Sequence, residues 1–158
     1  MIADSNPLGS TTARFSICGD RVTERRARRP PGENRSRLLE AGLIEFGLFG
    51  FSAASTSAIA ARAEMSQPHL YASFATKRDL FLACFAFVLD ELREPVSERD
   101  QAHRATLLRF LVQCVASSHV PGMREPLTAG LLELGSSLGE SRFAALLAEG
   151  SHALIDAP

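Results

Sequence analysis

The 158-residue sequence contains no tryptophan, one tyrosine (Tyr71) and one lysine (Lys77). Its three cysteines, Cys18, Cys84 and Cys114, are odd in number and far apart, with no CxxC pair. That argues against a disulfide framework and for buried or free thiols, as in a reducing cytoplasm. No apolar run follows a basic start, so no secretory signal is expected. The longest apolar stretch is Leu80 to Leu89. It is about half of the roughly 20 residues a helix needs to cross a bilayer, so it reads as a buried helix. No membrane partner is expected. Catalytic signatures are missing as well. There is no GxSxG, HExxH or P-loop, and Gly130, Gly135 and Gly139 do not form a GxGxxG. His103, His119 and His152 stand isolated. Neither an enzyme nor a metal or cofactor site is expected.

What the sequence does have is apolar residues and unevenly placed charge. Hydrophobic residues make up 46% of it, enough for a packed core over most of the length. The net charge is −1. Yet Arg21, Arg25, Arg26, Arg28, Arg29, Arg35 and Arg37 face only Glu24 and Glu33 in their stretch. Beyond Leu89 the balance turns acidic, through Glu91, Glu94, Glu98, Asp100, Glu125, Glu133, Glu140 and Glu149. A basic front and an acidic rear suit a protein that presents one end to phosphates. Residues 1–33 carry Asn6-Pro7, Gly9-Ser10, Gly19-Asp20 and Pro30-Pro31-Gly32 and lack periodicity, so they read as a disordered basic arm. A start codon placed upstream of the native one would give the same appearance.

From Asn34 onward the pattern is helical. Asn34 is placed to cap a helix carrying Leu39, Gly42, Leu43 and Phe46, with Gly50 suited to a left-handed stop. Ser55 or Thr56 caps a short second helix that buries Ile59, Ala60 and Ala63. Glu64-Met65 makes a tight turn, and Ser66 caps a third helix with Pro68 in its first turn and Leu70 and Phe74 as its buried pair. Thr76 and Asp79 are spaced as a capping box for a fourth helix, which buries Leu80, Phe81, Cys84, Phe85, Val88 and Leu92 and ends at Pro95. A fifth helix is expected near 102–118, a sixth near 125–138 and a shorter seventh near 141–148. No segment alternates with period two, so the fold class is all-α. The second and third helices, joined by a tight turn and backed by the first, form a helix-turn-helix. Its third helix has a polar face of Gln67, His69, Tyr71 and Ser73. A helix so short is held rigid only by those behind it, and the major groove is wide enough to admit one helix.

Several residues at fixed spacing carry a resemblance. They are Phe46, Gly50-Phe51, Ser55-Thr56, Ile59-Ala60, Ala63, Ser66, Leu70-Tyr71, Phe74, Thr76-Lys77 and Leu80-Phe81. Over about Arg35 to Leu92 the sequence closely resembles the N-terminal domain of the tetracycline-repressor (TetR/AcrR) family. The resemblance implies a ligand-responsive regulator, usually a repressor, that binds a palindromic operator in double-stranded DNA as a homodimer. On that basis residues 34–79 are the DNA-binding domain and residues 80–158 a helical dimerisation and effector domain. The latter is shorter than the family's usual regulatory domain. The alternative is a divergent or truncated member that binds an effector or a protein partner without binding an operator.

The DNA contacts implied by the resemblance fall on Thr56 and Ser57 at the start of the second helix, on Gln67, Pro68, His69, Tyr71 and Ser73, and on Lys77. The chemistry at these positions is suitable. A hydroxyl and a backbone N–H at a helix start hold a phosphate. A glutamine pairs bidentately with adenine, and Pro68 suits a thymine methyl. Tyr71 and Lys77 fit phosphate contacts. His69 fits equally a base contact or a solvated position. Glu64 stands where the family usually has glycine, which places a side chain at a turn that favours φ > 0. The expected dimer interface is the apolar face carrying Leu127, Leu131, Leu134 and Leu138. A small hydrophobic effector, if bound, would sit among Phe85, Leu89, Leu111 and Cys114. The plainer reading is that these four side chains fill the core.

Overall fold

The computed structural model describes residues 31–93 and 100–157. The expected disordered arm lies outside the described residues except for its last three, and these are helical. Among the described residues seven helices follow in order: α1 (Pro31–Ala53), α2 (Thr56–Arg62), α3 (Gln67–Ser73), α4 (Lys77–Arg93), α5 (Gln101–Ser117), α6 (Arg124–Leu138) and α7 (Glu140–Ile155). There is no strand among the described residues, so the fold is all-α. No helix of the described residues is long and apolar enough to cross a membrane.

Two helix boundaries correct the sequence reading. Asn34 lies inside α1, which starts at Pro31. A proline is well placed in a first turn, where its missing N–H would have no partner in any case. The seventh helix is not short, because α7 runs on to Ile155. Gly50 behaves as its sequence position suggests. Its φ of 72° and ψ of 174° interrupt the helix three residues before α1 ends. The break frees carbonyls of the preceding turn, and Gln113 of α5 donates to one of them, Gly47 O, at 3.4 Å. The end of α4 falls at Arg93, and Pro95 lies outside the described residues.

The caps explain why the short helices start where they do. Ser55 Oγ accepts from Ala58 N–H at 3.0 Å, which fixes the start of α2. Thr76 and Asp79 form the reciprocal box at α4: Asp79 N–H donates to Thr76 Oγ1 and Thr76 N–H to Asp79 Oδ2, each at 3.0 Å. Ser66 holds the N-cap position of α3 without capping it, since its hydroxyl instead meets His69 Nδ1 at 2.6 Å.

The core runs through all seven helices. Phe46 of α1, Phe81 of α4 and Phe110 of α5 are fully buried at its centre. α6 packs onto α4 at Gly130, where a Cβ would lie 2.6 Å from Phe85 Cε1 and 2.8 Å from Leu89 Cδ1. Only the missing side chain permits this approach. The leucines expected to meet a second copy are therefore used inside the chain. Leu127 and Leu134 are buried, while Leu131 and Leu138 pack half-buried against the core. Leu132, by contrast, is 67% exposed on the outside of α6.

Candidate nucleic-acid interface

α2 and α3 meet through a tight turn whose hydrogen bonds define it. Glu64 N–H donates to Ala61 O at 3.0 Å, and Met65 N–H to Ala60 O at 2.8 Å. This pair of bonds is a Schellman motif, which places Glu64 at the position that glycine usually fills. Glu64 accordingly has φ of 53°, the only positive φ at a non-glycine among the described residues. An L side chain there costs roughly 1 kcal/mol. Its carboxylate is bound by Arg37 of α1 at 2.8 Å, which ties the turn to the helix behind it. That pair is largely solvated and so contributes at most about 1 kcal/mol. The two effects can be separated. Glu64→Gly is expected to be more stable than Glu64→Ala by about 1 kcal/mol, since both lose the ion pair and only glycine relieves the backbone. Equal urea midpoints for the two variants would show that the turn holds no strain.

The turn and α2 are held to α1 by a second anchor. Arg62 donates through Nε (2.9 Å) and Nη2 (2.6 Å) to Oε1 of Glu45, a carboxylate almost wholly buried. At the other end of α3, Arg35 lies 4.3 Å over the ring of Phe74 and donates to Ser73 O at 3.4 Å. The first contact fixes α2 and the second fixes α3 to α1, and both escape sequence reading. Their sequence separations of 17 and 38 residues follow no local periodicity.

With Leu70 and Phe74 buried beneath it, α3 presents Gln67, Pro68, His69 and Tyr71 as exposed side chains, with Ser73 half-buried. Three of the expected contact residues come together in one polar cluster. Thr56 Oγ1 accepts from Gln67 Nε2 at 2.9 Å and lies 3.2 Å from the Tyr71 hydroxyl. Thr56 is nearly buried, so it acts as a post joining the start of α2 to two successive turns of α3. Ser57 is exposed beside it, its hydroxyl 2.8 Å from that of Ser55. His69 commits Nδ1 to Ser66, and the Ser73 hydroxyl donates back to His69 O at 3.2 Å.

Lys77 sits apart from that cluster. Its Nζ donates to Ser52 O at 3.2 Å and lies 4.9 Å over the Phe51 ring. Partial burial holds its pKa below the ordinary lysine value. It thus anchors the end of α1 to the first turn of α4, a role the sequence reading did not assign to it.

The side chains expected to surround an effector are all core residues. Phe85 and Leu89 are pressed against Gly130, and Leu111 and Cys114 are fully buried. None of the four lines the cleft of about 530 Å³ bounded by α1, α4 and α5, or a smaller one of about 150 Å³ between α1 and α2. Burial raises the thiol pKa of both Cys84 and Cys114, so both stay protonated and inert.

Residues 38–84 match the family model described as bacterial regulatory proteins, tetR family. No curated protein matches the sequence. Among solved structures, the chain is similar to a protein of Mesorhizobium loti named for the TetR family of transcriptional regulators. The two share 20% identity over 82% of this chain and 71% of the other, with a TM-score of 0.48. The match at residues 38–84 spans most of α1, both short helices and the first half of α4, and over that segment the chain is similar to the regulatory proteins of the tetR family.

Proposed function

We propose that the chain is a ligand-responsive transcriptional repressor that binds a palindromic operator as a homodimer, reading base edges through α3. The observation that carries this reading is the polar, exposed face of α3, which lies in the segment similar to tetR-family proteins and is held from behind by Leu70, Phe74 and the Arg35 contacts. A short helix fixed on one side and open on the other suits a major groove. One such helix reads too few bases for specific binding, which favours two copies on two half-sites. In this reading residues 34–79 form the DNA-binding domain. Residues 80–158 carry dimerisation and the response to an effector, and the protein works in the cytoplasm.

Thr56, Ser57, Tyr71 and Lys77 contact phosphates, while Gln67, Pro68, His69 and Ser73 face the bases. The test is a gel shift with DNA flanking the chain's own gene, alongside light scattering for mass. A saturable shift with a dimeric mass is expected. Lys77→Ala and Tyr71→Phe should weaken binding to operator and random DNA alike, because phosphate contacts carry no sequence information. Lys77→Ala should also lower the slope of log affinity against log salt by about 1, whereas Tyr71→Phe, which removes no charge, should leave the slope unchanged. A stable dimer that shifts none of this DNA would point instead to a module that binds an effector or a protein. A monomer binding the operator at full affinity would refute the dimer.

A further inference from the structure

The 530 Å³ cleft between α1, α4 and α5 has a composition that selects a ligand. Its wall on α1 is a helical stripe containing Leu39, Leu43 and Ile44, and α4 adds Phe87. The polar residues beside that apolar surface are Ser36, His103, Thr106 and two carboxylates, Glu40 and Asp100. Glu40 of α1 is exposed at the cleft and, among the described residues, makes no hydrogen bond or ion pair. Asp100 caps α5 through a single oxygen, Oδ1, which accepts from His103 N–H at 2.9 Å. His103 Nε2 in turn lies 3.8 Å from Glu91 Oε2. No lysine or arginine is among the described residues that line the cleft.

We propose that this cleft binds a small organic cation, an ammonium or amidinium group carried on an apolar body. The cationic head sits at Glu40, with Asp100 adding to the negative field, and the body lies against Leu39, Leu43, Ile44 and Phe87. The volume is within the roughly 300–1,000 Å³ usual for small-molecule sites, and such sites pair an apolar lining with a few polar groups that fix orientation. An anion is repelled by both carboxylates. A neutral compound gains the apolar contacts but not the charge-assisted bond, which is the stronger kind. This site lies apart from the buried cluster of Phe85, Leu89, Leu111 and Cys114, and it does not depend on DNA binding. Its position does give it leverage. The helix that forms its wall also holds α2 and α3 through Arg35, Arg37 and Glu45.

The experiment is amide chemical-shift mapping of the full chain at pH 7 with three probes of one shape: 4-phenylbutylamine, 4-phenylbutanol and 4-phenylbutyrate. The amine is expected to bind at millimolar concentration, with shifts gathered at residues 39–44 and 102–106. The alcohol should bind about tenfold more weakly, and the carboxylate should not bind. Glu40→Gln, at an exposed position that leaves the fold intact, should bring the amine down to the affinity of the alcohol. Ala102→Trp, at another exposed lining position, should fill the cleft and remove binding of both. Equal affinity for amine and alcohol, shifts gathered elsewhere, no binding of the amine, or an unchanged amine affinity in Glu40→Gln would each overturn the proposal.

Discussion

Phe81→Ala is expected to remove about 3–5 kcal/mol of stability, the range for truncating a buried aromatic. Phe81 has no exposed surface. Its ring meets Phe46 edge-on at 5.0 Å and 71°, Phe51 at 5.4 Å and 84°, and Phe110 at 4.9 Å and 43°. These partners sit on α1 before its break, on α1 after its break, and on α5. No single movement of one helix can close the space that the lost ring leaves. The cavity term should therefore be large, and lost aromatic pairing adds about 0.5–1.5 kcal/mol per pair. Domains are typically stable by only 5–15 kcal/mol, so the variant keeps little margin. For a chain of this size the melting temperature should fall by roughly 6–20 °C. The damage also reaches the candidate DNA face, because Lys77 lies over the same Phe51 ring that packs on Phe81. Phe81→Leu, which keeps most of the volume, should cost clearly less. A urea midpoint for Phe81→Ala that coincides with the parent would show that the aromatic cluster does not join the helices.

Much of this fold is legible in the sequence because its strongest signals are local. The Thr76/Asp79 box, Ser55 as a cap and Gly50 as a break each act within a few residues, and each stands where the spacing places it. The extent of α7 is not legible, since Gly150-Ser151-His152 reads as the end of a helix. Tertiary packing overrides that propensity. α7 lies so close to α5 that a Cβ at position 150 would come within hard contact of Leu108 O, and only glycine fits. The stripe of Leu127, Leu131, Leu134 and Leu138 shows the complementary gap. Periodicity reveals that a helix face is apolar, but not whether it packs on its own chain or on another. Here α4 and α7 take much of it. At the candidate site the sequence reveals which residues lie on α3. It says nothing of Thr56 receiving the Gln67 amide across eleven residues, or of Lys77 turning toward Ser52. Those contacts depend on how helices cross, which no local pattern encodes.

The Gln67 contact makes Gln67→Ala the most informative change at the DNA face. In the free chain its Nε2 is spent on Thr56 Oγ1, so reading a base requires the amide to turn away or to bond through its oxygen. If it pairs bidentately with adenine, its loss should reduce discrimination between operator and random DNA by about 1–3 kcal/mol. That is roughly 5- to 160-fold in relative affinity. The affinity for random DNA should change little, because a neutral amide exposed at the start of α3 adds nothing to the electrostatic term that dominates such binding. Stability should change little as well, since Gln67 is exposed and the remaining Thr56–Tyr71 contact still joins the two helices. Competition binding at one fixed salt concentration separates the possibilities. A narrowed gap with unchanged non-specific affinity makes Gln67 a reader of sequence. An equal loss on both DNAs would make it a structural partner of Thr56, leaving specificity to Pro68, His69 and Ser73.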